Sequence, residues 1–557
     1  MFKKTLKSHQ LNIFSSPNSL FSGKTLKIYE DDHAWHNQFR KQVTMRIDED
    51  IFSPLYCKDN GTPNAPIRVL VAMMVLKEAE GLSDQKIFEN CRFNMLVRSA
   101  IGLYNADDTL PTESTYYLFR KRITDYAKEK GENLFETAFV QITKDQCAEF
   151  EISGKRIRMD SKLLGSNIAW LSRYELIHET LRLFYSQVKQ SEKLDKTTGG
   201  RLSELLKLEG NKVVYTCTCD EVRSRLLELG VLIYKILPLF SSSSSTHYQT
   251  LQQVFNEQFK VDEKKVVIAR EKEELSAKSI QSPHDTDCHF RNKDEQKIKG
   301  YSINITESCD EDNTLNLIGY VDVRKASASD VDFLQVGIEK AQEVFKDKVK
   351  STHADGAYHS PANQQYCKDN DINLYLHAIQ GAKSRYQFNL SENGELIIFD
   401  TKTNLNVEYK KVTSKDGIVK WRIETEKNYR YFTQKDIDTY LIRKQIAETP
   451  IETLQYRNNV EATIFQLGYH YSNAKTRYRG EIKHKMWANI RCLWVNFVRI
   501  LKYVQILCKS CLLYALKTLF YVFISDWVEL KLELKSTLTE ILQIKLTKFE
   551  NMRFLGC

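Results

Sequence analysis

Apolar and polar positions in the first part of the chain follow the period of helices. Residues 66–80 (PIRVLVAMMVLKEAE) are almost continuously apolar and have a proline in the first turn, where its missing N–H costs little. Gly81 ends this predicted helix, and Ser83 is a suitable N-cap for a second helix over 84–98. The pattern therefore predicts two helices, the first of them buried, joined by a short turn.

This pair of helices has two interpretations, and spacing alone does not choose between them. It is typical of a helix-turn-helix, whose second helix would enter a DNA groove, and equally typical of an ordinary small helical bundle. A further helix, capped by Thr112 or Ser114, contains the basic run 120–122. Together these helices predict an all-α domain over 46–148, preceded by a polar arm over 1–45.

Alternating apolar and polar positions predict strands later in the chain. The runs 297–308 and 315–324 predict an antiparallel pair joined by the polar turn CDEDN, and Ser329 caps a helix that runs to about Lys346. Further strands are predicted over 150–160, 349–355 and 371–379. Strands and helices alternate in this part of the chain, which predicts an α/β fold.

Two long blocks interrupt the α/β pattern. A helical insertion covers about 170–280, within which the serine run 241–245 predicts a loop and the charged stretch 264–279 predicts a solvated helix. A β-rich insertion covers about 382–448, and the chain then stays helical through a C-terminal tail over 506–557. With both blocks set aside, the order of elements is three strands, a helix, two strands and a final helix.

Composition places the chain among soluble globular proteins. Its 557 residues predict about three to four domains. The 42% of hydrophobic and 27% of charged residues are ordinary values for a protein with real cores. The net charge of +9 and the pI near 8.7 favour a polyanionic partner, although this support is weak because many soluble proteins are mildly basic.

Neither a zinc site nor a membrane span is predicted. A structural zinc site usually needs four ligands in two close pairs, and the close pair 508/511 has no partner pair, while free thiols fit a reducing cytoplasm. The N-terminus lacks the apolar core of a secretory signal. The apolar segment 511–524 contains Lys517 and is shorter than the roughly twenty residues of a spanning helix, which favours a buried or dimer-forming helix.

Three acidic residues occupy positions that suit metal-binding carboxylates. Asp160 and Asp355 each close a predicted strand, and Glu461 lies on a predicted helix. Mg²⁺ prefers hard oxygen ligands and keeps several waters, so two or three carboxylates suffice. Taken singly, such aspartates are commonly turn formers or caps, and such a glutamate is usually solvated. The element order, however, is that of an RNase H-like domain, which predicts that the three acids meet over a core at 149–505.

A basic stretch follows the third acid. Residues 475–502 interleave basic side chains with Tyr478, Trp487 and Trp494, and their one acid is Glu481. This composition suits phosphate contacts and base stacking; the alternative is an amphipathic helix with a solvated basic face and core tryptophans. Its place just after the third acid favours DNA contact. The residues predicted to contact DNA are Arg457, Lys475, Arg477, Arg479, Lys483 and Lys485.

Several motifs together resemble a known family. Residues 52–103, with Gly61-x-Pro63 and the GLSD step at 81–84, are similar to the N-terminal domain of InsH-type transposases. The ADGAYHS run at 354–360 and the R-x₃-E spacing at 457–461 resemble that family's later motifs. The chain thus resembles a bacterial insertion-sequence transposase of the DDE class. It departs from the broader pattern at Leu454 and Gly468, where the family has tyrosine and lysine, and Glu452 and Glu481 rival Glu461 as the third acid.

The resemblance implies a function and a set of site residues. Asp160, Asp355 and Glu461 would be the catalytic acids and would bind two Mg²⁺ (or Mn²⁺) ions. His353 and His359 flank Asp355, and because Mg²⁺ prefers oxygen ligands, supporting or structural roles are favoured for them over metal binding. The partners implied are the terminal inverted repeats of the element, target DNA and a second copy of the chain, in the bacterial cytoplasm at the nucleoid. The alternatives are a catalytically inactive or domesticated DNA-binding relic and a hydrolytic nuclease of the same fold.

Overall fold

The protein, described by a computed structural model, has a mixed α/β fold in which helices predominate. The structure describes residues 1–5, 14–293, 296–379, 384–390, 395–414, 417–425, 428–468 and 475–553, and beyond residue 508 it describes mainly the backbone. The helices of the N-terminal region are α1 (Pro17–Leu20), α2 (Gly23–Glu30), α3 (Trp35–Gln42), α4 (Ile67–Ala79), α5 (Asp84–Phe93), α6 (Met95–Ala100), α7 (Glu113–Lys130) and α8 (Leu134–Glu149).

The remaining elements alternate between helices and strands. The strands are β1 (Arg156–Gly165), β2 (Phe259–Val261), β3 (Val267–Ala269), β4 (His289–Lys293), β5 (Gln296–Ser308), β6 (Ile318–Lys325), β7 (Ser351–Ala354), β8 (Asn373–Leu376), β9 (Tyr386–Leu390), β10 (Leu396–Asp400), β11 (Leu405–Val407), β12 (Tyr409–Thr413), β13 (Val419–Glu424) and β14 (Tyr429–Thr433). The later helices are α9 (Arg173–Val188), α10 (Lys196–Leu205), α11 (Gly210–Thr216), α12 (Cys219–Ile236), α13 (Thr246–Gln258), α14 (Leu334–Val344), α15 (Pro361–Asp369), α16 (Gln434–Glu448), α17 (Ile451–Gln455), α18 (Asn458–Gly468) and α19 (Glu481–Arg553).

The N-terminal helices follow the predicted pattern with one break. Every residue of α4 is buried, as its apolar run predicts. Ser83 caps α5 by accepting a hydrogen bond from the Lys86 amide at 3.1 Å. The single helix predicted over 84–98 is wrong, because the chain breaks at Asn94, whose side chain caps α6. Asparagine competes for backbone amides in this way, which favours a cap over a helix interior.

A mixed sheet forms the centre of the molecule, in the order β6–β5–β1–β7–β8, with β4 also paired to the beginning of β5. Strand β5 is antiparallel to both β1 and β6, which confirms the predicted antiparallel pair. Strands β7 and β8 are parallel to β1. Strand β7 pairs with the first three residues of β1, Arg156–Arg158, so the residue that follows β7 lies near the middle of β1.

The first strand begins later than its sequence pattern predicts. The strand predicted over 150–160 is instead Arg156–Gly165, because the chain turns before it through Glu151 and Gly154, which have φ values of 55° and 70°. A Cβ on Gly154 would lie 2.3 Å from Phe345, so both the conformation and the close packing require glycine here. As a result Asp160 lies in the middle of β1 instead of at its end.

The helical insertion packs around its own apolar cluster, whose members include Leu181, Phe184, Ile233 and Leu251. Residues 241–245 form the predicted loop between α12 and α13. The solvated helix predicted over 264–279 is wrong: this stretch contains β3, which pairs with β2 in a short hairpin. Lys265 has a φ of 62°, a conformation that turns the chain and ends any helical path there.

The β-rich insertion consists of two three-stranded antiparallel sheets, β9–β11 and β12–β14. Helix α16 packs on both through a small apolar cluster that includes Phe388, Phe432 and Ile437. The strands predicted for this block are therefore present. Parts of the predicted range, 382–383, 391–394, 415–416 and 426–427, lie outside the described residues.

Helix α19 joins the N-terminal helices to the sheet. Trp487 and Phe497 of α19 belong to the same buried cluster as Leu70 of α4 and Ile305 of β5. This shared core fixes the N-terminal region against the sheet. None of the described helices has a stretch long and apolar enough to cross a membrane. The side chains of the apolar segment 511–524 lie outside the described residues, so its predicted burial or dimer contact stays a prediction.

Candidate active site

Asp160 lies on the central strand with its side chain mostly covered. It stands opposite Ile305 of β5, two residues past the last pair that β1 makes with β7. One carboxylate oxygen accepts a hydrogen bond from the Ser161 amide at 2.8 Å, and the other accepts one from the Arg457 guanidinium at 3.2 Å. Burial raises the pKa of Asp160 above its ordinary value of 3.8, although Arg457 opposes this effect.

Asp355 directly follows β7 and caps the short turn Gly356–Tyr358. Its carboxylate accepts a hydrogen bond from the Gly356 amide at 2.7 Å. A Cβ on Gly356 would lie 1.5 Å from the carbonyl oxygen of Ala378, so only glycine fits between the end of β7 and the chain after β8. This close approach holds the Asp355 carboxylate beside β1.

Arg457 brings the three predicted acids together. One of its terminal nitrogens lies 3.2 Å from a carboxylate oxygen of Asp160 and 4.0 Å from one of Asp355. Its other terminal nitrogen lies 3.7 Å from Glu461, one turn later in the chain. Among the described residues, the rival Glu481 pairs with Lys485 instead, and Glu452 is exposed without a pair to Arg457. The acids expected from the motif spacing are thus the ones that share this guanidinium.

Exposure increases from the first acid to the third. The side chains of Asp160, Asp355 and Glu461 are 14%, 39% and 69% exposed, respectively, and that of Arg457 is 14% exposed. Three carboxylates facing one guanidinium leave an excess of negative charge at the edge of the sheet. With Arg457 between them, no three of the described His, Cys, Asp and Glu side chains are grouped closely enough to hold a metal ion.

A second cluster of charges, which sequence reasoning missed, is adjacent to the acids along β1 and β5. We call it the Glu307 network. Glu307 of β5 is fully buried and pairs with Arg158 of β1 at 2.5 Å and with Arg499 of α19 at 2.7 Å. Burial alone would raise the pKa of Glu307, but the two guanidinium groups outweigh it and hold this pKa below its ordinary value.

The Glu307 network holds the segment that contains Arg457 and Glu461. Thr463 of α18 donates to Glu307 at 2.9 Å and accepts a hydrogen bond from Arg499. Arg158 donates to the Tyr456 carbonyl at 2.9 Å, one residue before Arg457. The network therefore fixes helix α18 and its approach to the sheet. One sequence signal could have found it: Glu307 continues the alternating face of Ile303 and Ile305, which are buried.

The two histidines beside Asp355 differ in their surroundings. His353 is buried on β7 and stacks on Tyr375, with 4.9 Å between ring centroids. Burial lowers the pKa of His353 to about 3, so its ring stays neutral at physiological pH. Burial also lowers the pKa of the less buried His359. His353 therefore has a packing position within the sheet.

Most of the predicted DNA-contacting residues form contacts within the protein. Lys475 donates to the Ile168 carbonyl at 2.7 Å, and Arg479 donates to the Asn167 carbonyl at 2.7 Å. Arg477 reaches the N-terminal region, where it donates to the carbonyls of Gly81 and Leu82 at 2.6 and 2.8 Å. Lys485 pairs with Glu481 at 2.7 Å, and Lys483 is exposed.

Comparison with known proteins gives one match. Residues 28–122 match a family model described as "Transposase domain (DUF772)". The matched range begins within the predicted N-terminal arm and ends within α7. A search of curated proteins and a search of solved structures each found no match. Residues 28–122 are thus similar to a transposase domain, a finding that supports an insertion-sequence transposase.

Proposed function

We propose that this protein is a DDE transposase that cuts and joins DNA at the ends of its insertion sequence. The single observation that carries the proposal is the meeting of Asp160, Asp355 and Glu461 at one guanidinium, in a chain with a transposase domain. The three acids come from a central strand, a strand end and a late helix, and their separation in sequence argues against a chance cluster. Such a domain implies DNA cutting and joining in general.

The sheet supports an RNase H-like catalytic core. Three antiparallel strands, β6, β5 and β1, are followed by the parallel strands β7 and β8 on the other side of β1. This order is the one implied by the family resemblance, and it puts the first two acids at adjacent strands. The helical block enters between β1 and β4, and the β-rich block enters between β8 and α18. Both therefore lengthen connections without interrupting the central sheet.

The three acids have the chemistry of a Mg²⁺ (or Mn²⁺) ligand set, but they would have to close up as Arg457 leaves before they could share ions. All the donors are hard carboxylate oxygens, and three negative charges face a single positive one, so divalent cations would correct the imbalance. Asp160 and Asp355 would hold one ion, and Glu461 would help to hold a second. When bound, two such ions would activate a water or a 3′-hydroxyl and stabilise the leaving oxygen.

The remaining residues would position these groups and the DNA. Backbone amides of Ser161 and Gly356 aim the carboxylates of Asp160 and Asp355. Arg457 would leave the acids when cations enter and would then contact the DNA phosphates, as predicted from the sequence. Lys483 is exposed and would contact DNA directly, while Lys475, Arg477, Arg479 and Lys485, which already contact the protein, would contribute charge near it. A second copy of the chain would hold the other element end.

The test is a cleavage and strand-transfer reaction on duplexes that contain the DNA flanking the gene, with Mg²⁺ present. The wild-type protein should nick the element end and join it to target DNA. Asp160→Asn, Asp355→Asn and Glu461→Gln should each lose about three orders of magnitude in rate while still binding DNA. Glu452→Gln is the matched control, because this exposed acid does not pair with Arg457.

Three results would contradict the proposal. Strand transfer by Asp160→Asn at the wild-type rate would remove this aspartate from the chemistry. A wild-type protein that binds the flanking DNA but never cuts it would favour the inactive or domesticated relic. Nicking without joining would favour a hydrolytic nuclease.

A further inference from the structure

A groove lies between the N-terminal region and the beginning of α19, two parts of the protein that are far apart in sequence. It encloses a cavity of about 360 Å³ whose lining comes from α4, α7 and the segment around residues 478–490. Met486 and Trp487, which are 6% and 2% exposed, form part of its apolar floor. The folded chain must bring α7 and α19 together to build this groove, so neither region contains it alone.

Three lysines make the groove strongly positive. Lys121 and Lys128 of α7 and Lys483 of α19 line it, and all three are exposed. None of them forms an ion pair with a carboxylate in the described part of the chain. Arg120 also lines the groove, but its guanidinium is committed to Asp84 at 3.1 Å. Asp125 is the only acid among the described lining residues, so an excess of positive charge remains.

The spacing of the lysines distinguishes a chain of phosphates from a single small anion. Tyr117, Lys121 and Lys128 lie on one face of α7, since positions four and seven residues apart share a face. The backbone positions of Lys121 and Lys128 are about 10 Å apart along the helix, at about 1.5 Å per residue. Ammonium groups spread over such a length fit successive phosphates better than one phosphate ion. The apolar floor lowers the local dielectric and strengthens their attraction for anions.

The groove is connected to the acids by a rigid element. Lys483 and Arg499 both lie on helix α19 and are about 24 Å apart along it, at 1.5 Å per residue. Arg499 belongs to the Glu307 network, which holds α18 and Glu461. The same length corresponds to about seven base pairs of B-form DNA. A duplex of less than one turn therefore spans the length of α19 between the groove and the Glu307 network.

We propose that Lys121, Lys128 and Lys483 jointly bind the phosphodiester backbone of duplex DNA at a distance from the catalytic acids. This inference rests on the proposed function, and it extends the DNA contact to α7, which the predicted contact residues did not include. It explains why three exposed ammonium groups from two distant segments converge on one groove. The contact is with phosphates, so it contributes affinity and orientation without reading the base sequence.

The experiment measures DNA affinity as a function of salt concentration. The full-length wild-type protein is compared with Lys121→Gln/Lys128→Gln/Lys483→Gln on a duplex that contains the DNA flanking the gene. The groove variant should bind roughly tenfold or more weakly, and the slope of log K against log salt should fall by about 2 to 3. The matched control is Lys346→Gln/Lys348→Gln/Lys368→Gln, which removes the same charge from exposed positions outside the groove and should keep the wild-type slope.

The outcomes separate the two proposals. If the wild-type protein binds DNA and the groove variant keeps the wild-type slope, or if the control variant loses as much, the groove assignment is overturned and the proposed function stands. If the wild-type protein does not bind the duplex at all, both fall. Should the triple variant fail to fold, Lys121→Gln/Lys128→Gln decides, because both lysines lie on α7 outside the earlier predicted contacts, with an expected loss of about 2 in slope.

Inorganic phosphate distinguishes a DNA-backbone site from a small-anion site. At constant ionic strength, millimolar phosphate should not displace the duplex. It should also shift the melting temperature of the wild-type protein no more than that of the groove variant. A phosphate-dependent stabilisation that the groove variant lacks would assign the groove to a small anion and overturn the proposal.

Discussion

The two charged clusters near the centre of the molecule use the same groups in opposite proportions. In the Glu307 network, one carboxylate faces the two guanidinium groups of Arg158 and Arg499 in a fully buried position. In the acid cluster, one guanidinium, that of Arg457, faces three carboxylates, of which the third is 69% exposed. The first cluster has its negative charge fully matched and is closed to solvent, whereas the second has an excess of negative charge and is open.

The difference indicates which cluster is structural and which is available for a ligand. Buried charges are tolerated only when paired and hydrogen-bonded, and once paired they resist change. An excess of like charge costs stability unless a counter-ion arrives, so it is a feature of binding and catalytic sites. The Glu307 network is adjacent to the acid cluster along β1, where Arg158 and Asp160 are two residues apart, and it fixes α18, the helix that contains Glu461.

The largest expected effect comes from breaking the matched cluster. Glu307→Ala leaves two buried guanidinium groups without their carboxylate and should lower the free energy of unfolding by about 3–5 kcal/mol. Urea denaturation followed by circular dichroism measures the loss. Glu343→Ala removes a surface partner of Lys340 and should change stability by less than about 1 kcal/mol. Equal losses of stability in the two variants would mean that the Glu307 network contributes no more than a surface ion pair.

The close approach beside Asp355 should be the next most sensitive feature. Gly356→Ala forces a Cβ against the Ala378 carbonyl, so the chain must shift at the point where Asp355 is held. The free energy of unfolding should fall by about 1–3 kcal/mol, and DNA cleavage should be reduced. Gly200→Ala is the control, because a Cβ at Gly200 of α10 meets no atom within 4 Å. The control should be neutral or slightly stabilising. Wild-type stability and cleavage in Gly356→Ala would refute the close contact.

Competition between Arg457 and divalent cations should appear as a moderate change in melting temperature. Removing the guanidinium in Arg457→Gln leaves the acids unmatched, so Mg²⁺ should stabilise this variant by about 2 °C or more beyond its effect on the wild-type protein. Calorimetry with and without Mg²⁺ measures the difference. Arg182→Gln, which loses a pair with Glu179 on the helical insertion, is the control. The same Mg²⁺ response in all three proteins would show that Arg457 does not compete with cations.

The smallest expected effect is an opposite pH dependence of the two clusters. The pKa of Glu307 is lowered from 4.5, so its contribution to stability is complete above that value and is lost as pH falls through the lowered pKa. The pKa of Asp160 is raised from 3.8, so ionising it destabilises the fold as pH rises through the interval from 3.8 to the raised pKa. The stability advantage of wild type over Glu307→Gln should therefore shrink toward acid pH.

Asp160→Asn provides the other half of this comparison. In the absence of metal, its stability relative to wild type should increase between acid and neutral pH, because it removes a carboxylate whose ionisation is unfavourable. Unfolding free energies measured across this pH range give both differences. Slopes of the same sign for Glu307→Gln and Asp160→Asn would contradict the assigned directions.

The sequence predicted those elements whose patterns are local. The apolar run of α4, the Ser83 cap and the antiparallel pairing of β5 with β6 follow from periodicity and turn chemistry, and the structure has them. Patterns of this kind failed where a few backbone conformations overrule them, as at Asn94 between α5 and α6 and at Lys265 in the hairpin that replaced a predicted helix. Both are places where one residue turns the chain.

Residue types and their spacing along the chain determined that Asp160, Asp355 and Glu461 were the acids to consider. Only the tertiary structure decided that Asp160 lies mid-strand, that Arg457 stands between the three acids, and that Glu307 ties β1, β5, α18 and α19 together. It also joined the lysines of α7 and α19 in one groove. The physical reason is that hydrogen-bonding and apolar patterns act between near neighbours in sequence, whereas charges interact through space with whatever the folded chain brings beside them.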